Sequence, residues 1–237
     1  MKFHEKVKTG INWDIFFSQV DLIHNDKPVY IPNFLPNPNN YVTWKNIEDY
    51  INFSQGYFRI IDKNKGNIDP PLIKTFYDKD IQDKNYIHNH LSQGYSFAFS
   101  EHSIIHPYAS SLCSEIDSLF LVNSESQVMG SINSNCDSFP PHMDTNPIFV
   151  FQSQGTIEWT LYDNKVSHLW PRDFISTHLD YNKLSNPKTY TLTPGDFLYV
   201  PERTYHNIKV KSPRLTLSIN CFDPRNTLNL DRNYYQL

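Results

Sequence analysis

A mainly β protein with flanking helices is what the 237 residues predict: a sandwich of short antiparallel strands with a helical N-terminal part laid against it. Three observations carry that expectation. From about residue 127 onward, seven short runs rich in Val, Ile, Thr and aromatics follow one another between turn residues: QVMGSI, IFVFQ, TIEWTLY, KTYTLT, DFLYV, HNIKV and RLTLSIN. Before them, apolar residues recur at helical spacing in several stretches. The chain also has only 7 Gly against 16 Pro, with neither a P-loop nor a G-x-G-x-x-G, which disfavours the nucleotide-binding α/β folds.

In chain order, INWDIFFSQV (11–20) reads as a short helix with Trp13, Phe16, Phe17 and Val20 on one side. KPVYIPNF is a short strand punctuated by Pro28 and Pro32. TWKNIEDYIN (43–52) is helical, and GYFRIID and GYSFAFS are strands. HPYASSLCSEIDSLFL (106–121) opens with Pro107 near a helix N1 position and carries Tyr108, Leu112, Ile116 and Leu119 at helical spacing. No repeat or low-complexity linker divides the chain. The expected organisation is one domain over 1–237: an N-terminal helix-and-strand part (1–126), the β core (127–222) and a tail (223–237). Residues 163–187 form a long insertion between strands, expected as a flap over a site.

The bulk properties bound the function. A net charge of −4 argues against a broad nucleic-acid surface. No run of 18 apolar residues offers a membrane span. The N-terminus MKFHEKVKTG lacks the apolar segment of a signal peptide, and Cys113, Cys136 and Cys221 show no pairing pattern. A reducing, cytoplasmic setting is the expectation.

His-x-Asp occurs three times, at His24/Asp26, His142/Asp144 and His178/Asp180, where 10 His and 18 Asp would give about 0.8 by chance. Spacing alone therefore selects none of them. His24/Asp26 lies in turn chemistry between a helix and a strand, and His178/Asp180 lies in the long insertion. His142/Asp144 leads into a strand, and residues two apart on extended backbone point the same way. A third ligand would come from His206, which follows the Pro194-Gly195-Asp196 turn and Pro201 in TPGDFLYVPERTYHNIKV. Two His and one carboxylate suit Fe(II) with open positions. A pair of polar residues lining the sandwich with ordinary hydrogen bonds is the alternative, and spacing does not decide between them. Other candidates are weaker. His88/His90 lack further ligands nearby. Tyr199, Trp159 and Trp170 are core aromatics or pocket lining, and Cys136 is a buried thiol or faces the site.

The stretches GYSFAFS, HPYASSLCSEIDSLF, GSINSNCDSFPPHMDTNPIFVFQSQGTIEWTLY and LTPGDFLYVPERTYHNI together resemble the JmjC-type, cupin-like Fe(II)/2-oxoglutarate oxygenases, nearest the ribosomal-oxygenase group, over about residues 11–222. The resemblance rests on H-x-D, on Gln152 and Gly155 at family-like spacing, and on P-G-D-x-x-Y-x-P-x-x-x-x-H. It implies a double-stranded β-helix (cupin or jelly-roll) sandwich, with His142, Asp144 and His206 as iron ligands. It also implies a hydroxylase using Fe(II), 2-oxoglutarate and O2, with Asn133 as a cosubstrate contact. The substrate would be a peptide or protein side chain or a small amino-acid-like metabolite. Two departures stand out. Ile157, in GTIEW, occupies the position where relatives carry a Lys or Arg in G-x-K-x-W that binds the distal carboxylate of 2-oxoglutarate. The sequence also ends shortly after its last strand, where the ribosomal oxygenases continue into a helical dimerisation region and a winged helix. That tilts the expectation toward a small or peptide substrate.

Something must replace the missing cation. If HNIKV and RLTLSIN form a hairpin around Lys211-Ser212-Pro213, then Arg214, Thr216, Ser218 and Asn220 share the face of His206. Arg214 is then the anchor, with Ser218 and Asn220 beside it. A one-residue slip would instead put Leu215, Leu217 and Ile219 inside the sandwich and Arg214 in solvent. Two rival readings remain at this level: a cupin-type metalloenzyme that does not use 2-oxoglutarate, favoured by Ile157, and a catalytically silent binding protein.

Overall fold

The computed structural model describes residues 7–134, 136, 138–166 and 181–222. In chain order these form α1 (Trp13–Phe17), α2 (Val20–His24), β1 (Val29–Ile31), α3 (Trp44–Asn52), β2 (Tyr57–Asp62), β3 (Gly66–Ile68), β4 (Leu72–Lys74), β5 (Asp80–Gln82), α4 (Lys84–Ser92), β6 (Ser96–Ser100), α5 (His102–Ile105), α6 (Pro107–Phe120), β7 (Asn123–Ser131), β8 (Ile148–Gln154), β9 (Ile157–Lys165), β10 (Lys188–Leu192), β11 (Phe197–Val200), β12 (Thr204–Val210) and β13 (Arg214–Phe222). An eight-stranded antiparallel sheet runs β1-β11-β8-β13-β7-β6-β2-β3. A three-stranded sheet runs β10-β9-β12, and β4-β5 is a separate hairpin.

Alternation along the strands gives the large sheet two faces. Phe58, Ile60, Phe97, Phe99, Val128, Leu215, Leu217 and Ile219 join the core beneath the helices, with Trp13, Phe16, Tyr50, Ile87, Leu112 and Ile116. The opposite face looks toward the small sheet. There Ile148, Val150, Leu198 and Val200 pack against Ile157, Trp159, Leu161, Tyr190, Leu192 and Ile208. This second core draws on β8 and β11 but not on β7, β6, β2 or β3, so the small sheet covers only part of the large one.

Several expectations meet corrections. The 11–20 helix is two short helices broken at Ser18-Gln19. Trp13 and Phe16 are buried, but Phe17 and Val20 are exposed, because the break turns them away from the sheet. The helix at 107–120 forms, yet Leu119 is exposed. α4 and the β4–β5 hairpin carry no strong periodicity and were not expected.

The largest correction concerns the last two strands. β12 does not pair with β13: it pairs with β9 in the small sheet, while β13 lies between β7 and β8 in the large one. Lys211-Ser212-Pro213 is a crossing between sheets rather than a hairpin loop. Its path is fixed by Gly155, at φ +72°, where any Cβ would collide with the Pro213 carbonyl. The facing inferred from the hairpin nonetheless holds. A strand that crosses to the opposite layer still turns one face into the sandwich, so Arg214, Thr216 and Ser218 point inward and are buried.

β9 extends through Lys165, so the insertion begins later than expected. Its described ends are tied together by Asp163 N–H donating to the Ser185 carbonyl and by Asn164 bonding Lys183 and Ser185. Trp170 and the His178/Asp180 pair lie outside the described residues. The Asp196 turn is structural: its carboxylate accepts from Thr193, Asn33 and Tyr30, tying β1 to β11.

Candidate functional site

His142 and His206, far apart in sequence, are brought together by backbone. They form a bridge in which each N–H donates to the other's carbonyl, at 2.9 and 2.8 Å. Directly opposed residues of an antiparallel pair project the same way. Their rings accordingly lie 4.4 Å apart, centroid to centroid. Asp144, two residues beyond His142, joins them: its Oδ2 is 3.5 Å from His206 Nε2. Arg203, at φ +58°, donates its N–H to the Asp144 carbonyl at 2.7 Å and so pins that turn. One ligand atom from each of His142, Asp144 and His206 lies within 4.8 Å of the others.

Both imidazoles are preset. His142 Nδ1 faces the Pro140 carbonyl at 2.9 Å and His206 Nδ1 faces the Thr204 carbonyl at 3.0 Å. A carbonyl only accepts, so each Nδ1 carries the proton and each Nε2 presents a lone pair. Burial, reinforced by His206, pushes the His142 imidazole down to about 4. It is therefore neutral near pH 7, the form in which imidazole binds a cation. Trp159 lies against His206 with centroids 5.1 Å apart. The triad opens into a cavity of about 440 Å3, whose walls include Trp159, Ile208, Phe139, Met143, Ser218 and Asn220.

Beside this cavity lies a buried polar network. Arg214 is 1% exposed. Its Nε donates to Ser131 Oγ at 3.1 Å, and its Nη1 donates to the Met129 carbonyl at 3.0 Å and Thr216 Oγ1 at 3.1 Å. Thr216 passes its own proton to Gln152 Oε1 at 2.8 Å, and the Gln152 amide donates to the Gln154 and Gly155 carbonyls. Ser131 shares a 2.7 Å bond with Ser96. Arg214 Nη2 is buried with no partner, and no carboxylate among the described residues pairs with the guanidinium. Burial alone lowers its pKa to about 10, so the cation persists. Ile157, by contrast, is an ordinary core residue. Gly155, Ile157's neighbour in the turn, abuts Arg214 Cα, so the cation sits at the corner of the sandwich where β9 begins.

The remaining candidates separate cleanly. Asn133 lies past the end of β7, where its carbonyl and side chain meet Cys136, and it is not in the cavity wall. Cys136 is buried beside Arg214. His24 is exposed, and Asp26, at φ +56°, pairs with Lys165. His88 is exposed on α4, and His90 stacks on Tyr86. Tyr199 packs with Phe16 and Phe149 outside the cavity. Sequence reasoning missed Arg59, Asn67, Gln127 and Phe139 in the wall. The signal for Arg59 was present: a charge between the core residues Phe58 and Ile60 must face the other side of its strand.

Residues 98–230, more than half of the chain, match a family model described as JmjC domain. A comparison with curated proteins finds no match. Among solved structures, that of Escherichia coli YcfD superposes with a TM-score of 0.65 at 15% identity, covering 98% of this chain and 58% of that one. YcfD, described as a ribosomal oxygenase, in complex with cobalt and 2-oxoglutarate gives 0.63 at 16% identity, covering 96% and 56%. The same protein with cobalt and succinic acid gives 0.62 at 16% identity, covering 97% and 56%. The chain thus spans little more than half the length of these structures. At such identity the likeness is one of fold, the double-stranded β-helix sandwich expected from the sequence.

Proposed function

The chain belongs to the JmjC domain family, and from that premise we propose that it is an Fe(II)- and 2-oxoglutarate-dependent hydroxylase. His142, Asp144 and His206 would hold the iron, and Arg214 the distal carboxylate of the cosubstrate. The observation that carries this reading is that one sandwich holds both a converging ligand set and a buried cation. Three converging ligand atoms face one another, and a buried guanidinium nearby has an orphaned Nη2 and no counter-ion among the described residues. Structural arginines at full burial are paired or fully hydrogen-bonded. A dicarboxylate cosubstrate would supply the counter-ion that the guanidinium lacks among the described residues.

Bound iron supplies the activation of dioxygen against the keto acid, chemistry no side chain performs. The chain's own part is positioning. His142 and His206 donate their Nδ1–H groups to the Pro140 and Thr204 carbonyls, which hold the rings in register. Asp144 contributes the negative charge, and a set of two His and one carboxylate leaves further positions open. Arg214 would offer a carboxylate its charge and its remaining Nη2 donor, with the guanidinium braced by Ser131 and Thr216. Ser218 and Asn220 carry polar groups along the cavity wall. Trp159, Ile208, Phe139 and Met143 keep water away from the reacting centre. Asn133, turned toward Cys136, has no role in this scheme.

The rival metalloenzyme that does without 2-oxoglutarate draws its support from Ile157, and Arg214 speaks against it as a cation offered from another strand. We take the substrate to be a peptide or protein side chain or a small metabolite, and the setting to be the cytoplasm. Among the described residues, no helix is long and apolar enough to cross a membrane. The test is anaerobic reconstitution with Fe(II) followed by 2-oxoglutarate. A visible metal-to-ligand absorption band is expected. Metal binding without the band would favour the rival metalloenzyme, and no metal binding would favour a silent binding protein.

A further inference from the structure

The cavity continues beyond the triad along a part of the large sheet that the small sheet does not cover. There the register aligns Arg59 of β2, Ala98 of β6, Met129 of β7, Thr216 of β13 and Gln152 of β8 in one cross-strand row. Side chains in such a row share a face. Asn67, opposite Ile61 on β3, stands on the same face as Arg59. This outer wall is polar where the reverse face of the same strands carries Phe58, Ile60, Phe97 and Phe99. Ala98, small and on the strand between Arg59 and Met129, leaves room above the sheet in front of the guanidinium.

Arg59 is half-buried in this wall. Its Nη2 donates to Ser100 Oγ at 3.0 Å, and its buried Nε has no partner among the described residues. No described carboxylate lies within ion-pair distance of it. The acids of the cavity stand elsewhere. Asp144 belongs to the triad, and Glu125 is on β7 opposite Asn220, beyond Gln127. The lining thus holds a fixed, partly desolvated cation with a free donor, flanked by the neutral amides Asn67 and Gln127. No lysine or second arginine joins it in the cavity wall. One planar fork without further positive charge matches a carboxylate better than a phosphate.

We propose that Arg59 is a specificity-determining residue that selects substrates bearing a carboxylate, held at the outer wall while the reacting carbon faces the triad. The carboxylate would come from an acidic side chain of a peptide or from a small free acid. This rests on the reading of the cavity as an active site. It adds a substrate class to that reading and is separate from the cosubstrate cation Arg214, which is held within the polar network rather than in the cavity wall.

The experiment is calorimetric binding to the anaerobic full-length protein loaded with Fe(II) and saturating 2-oxoglutarate, and to the same protein without 2-oxoglutarate. The probes are the capped tripeptides Ala-Asp-Ala, Ala-Asn-Ala and Ala-Lys-Ala, and 3-phenylpropanoate with its amide. At least one acid is expected to bind ten times or more tighter than its amide, and whichever pair shows this identifies the source. In Arg59→Gln the preference should vanish and in Arg59→Lys it should partly return, with the iron–2-oxoglutarate absorption titration unchanged in both. A preference that survives in Arg59→Gln, no preference for either acid in the wild type, or tighter binding of the lysine probe would overturn the proposal. So would weakened 2-oxoglutarate binding in Arg59→Gln, which would make Arg59 the cosubstrate anchor. If the wild type binds no 2-oxoglutarate yet prefers acids in an Arg59-dependent way, the proposal stands and the hydroxylase reading falls.

Discussion

Replacing Arg214 with methionine tests the proposed cosubstrate anchor through two measurements that move in opposite directions. Burial lowers the guanidinium pKa from 12.5 to about 10. At about 1.4 kcal/mol per unit, keeping the charge in the folded state has a net cost of ~3.5 kcal/mol. The folded state disfavours the proton, so this penalty is present at every pH below about 10. Methionine fills much of the same volume without the charge. Ser131, Thr216 and the Met129 carbonyl each lose the arginine's donor, but Ser131 keeps Ser96 and Thr216 keeps Gln152. Exchange of a buried charge for an apolar side chain of similar size is often neutral or stabilising. The unloaded Arg214→Met protein should therefore melt no lower than the wild type, and by as much as a few degrees higher.

Its response to 2-oxoglutarate should be the reverse. A charge-assisted hydrogen bond is worth roughly 1.5–3 kcal/mol, so the 2-oxoglutarate concentration needed to develop the iron absorption band should rise at least tenfold, while iron binding itself survives. The thermal shift that 2-oxoglutarate gives the wild type should shrink accordingly. Arg214→Ala should show the same loss of affinity but with lower stability, because it also leaves a cavity. Wild-type affinity for 2-oxoglutarate in Arg214→Met would reject the anchor. A large drop in melting temperature of the unloaded variant would show that the guanidinium is a structural group already satisfied within the fold.

His142→Ala, Asp144→Ala and His206→Ala should each abolish iron binding by equilibrium dialysis, whereas His24→Ala should retain it; loss of iron in His24→Ala alone would mean that the wrong pair was chosen. Gly155→Ala should lower both the melting temperature and the affinity for 2-oxoglutarate. Its φ of +72° is strained for alanine and its Cβ would push on Pro213 beside Arg214, so an unaffected variant would show that the crossing between sheets is compliant. The buried His102, which donates Nε2–H to the Tyr41 carbonyl at 2.7 Å, is pushed by burial down to about 3, and His106 stacked on it is lowered too. A histidine whose folded pKa lies below its unfolded value of about 6.5 stabilises fully above that pH. It loses about 1.4 kcal/mol per unit as pH falls toward the folded pKa. Denaturant midpoints measured from pH 7 to 4.5 should fall less steeply in His102→Gln, and an unchanged slope would assign the acid sensitivity elsewhere.

What the sequence made legible divides along physical lines. The β region and its faces were readable because a two-residue alternation is a local property. Alternation put Arg214 and Leu215 on opposite faces but left open which one faced inward; the assumed hairpin chose Arg214, and that facing holds although its partner was wrong. Partnership was not readable, since whether β12 continues into its neighbour or crosses to the facing sheet depends on Gly155 and Pro213, which lie nearly sixty residues apart. The short helices α1 and α2 failed for a related reason. Five-residue helices take their exposure from what they pack on, and an apolar stripe drawn across both of them joined faces that the Ser18-Gln19 break separates.

The His142–His206 bridge was reachable only in part, because i and i+2 spacing aligns His142 with Asp144 but says nothing of a strand beyond residue 200. Here the polar residues that looked least informative one at a time prove the most constrained. Gln152 is held by the backbone of the turn at Gly155, Thr216 is oriented by Gln152, and Arg214 is aimed by Thr216 and Ser131. Each link uses up donors and acceptors until one buried donor, Nη2, is left over. A chain that only needed a stable sandwich would gain by replacing that arginine with an apolar residue, as Ile157 already does on the facing strand. An anion bound at Nη2, as proposed for the cosubstrate, would offset the cost of keeping the cation.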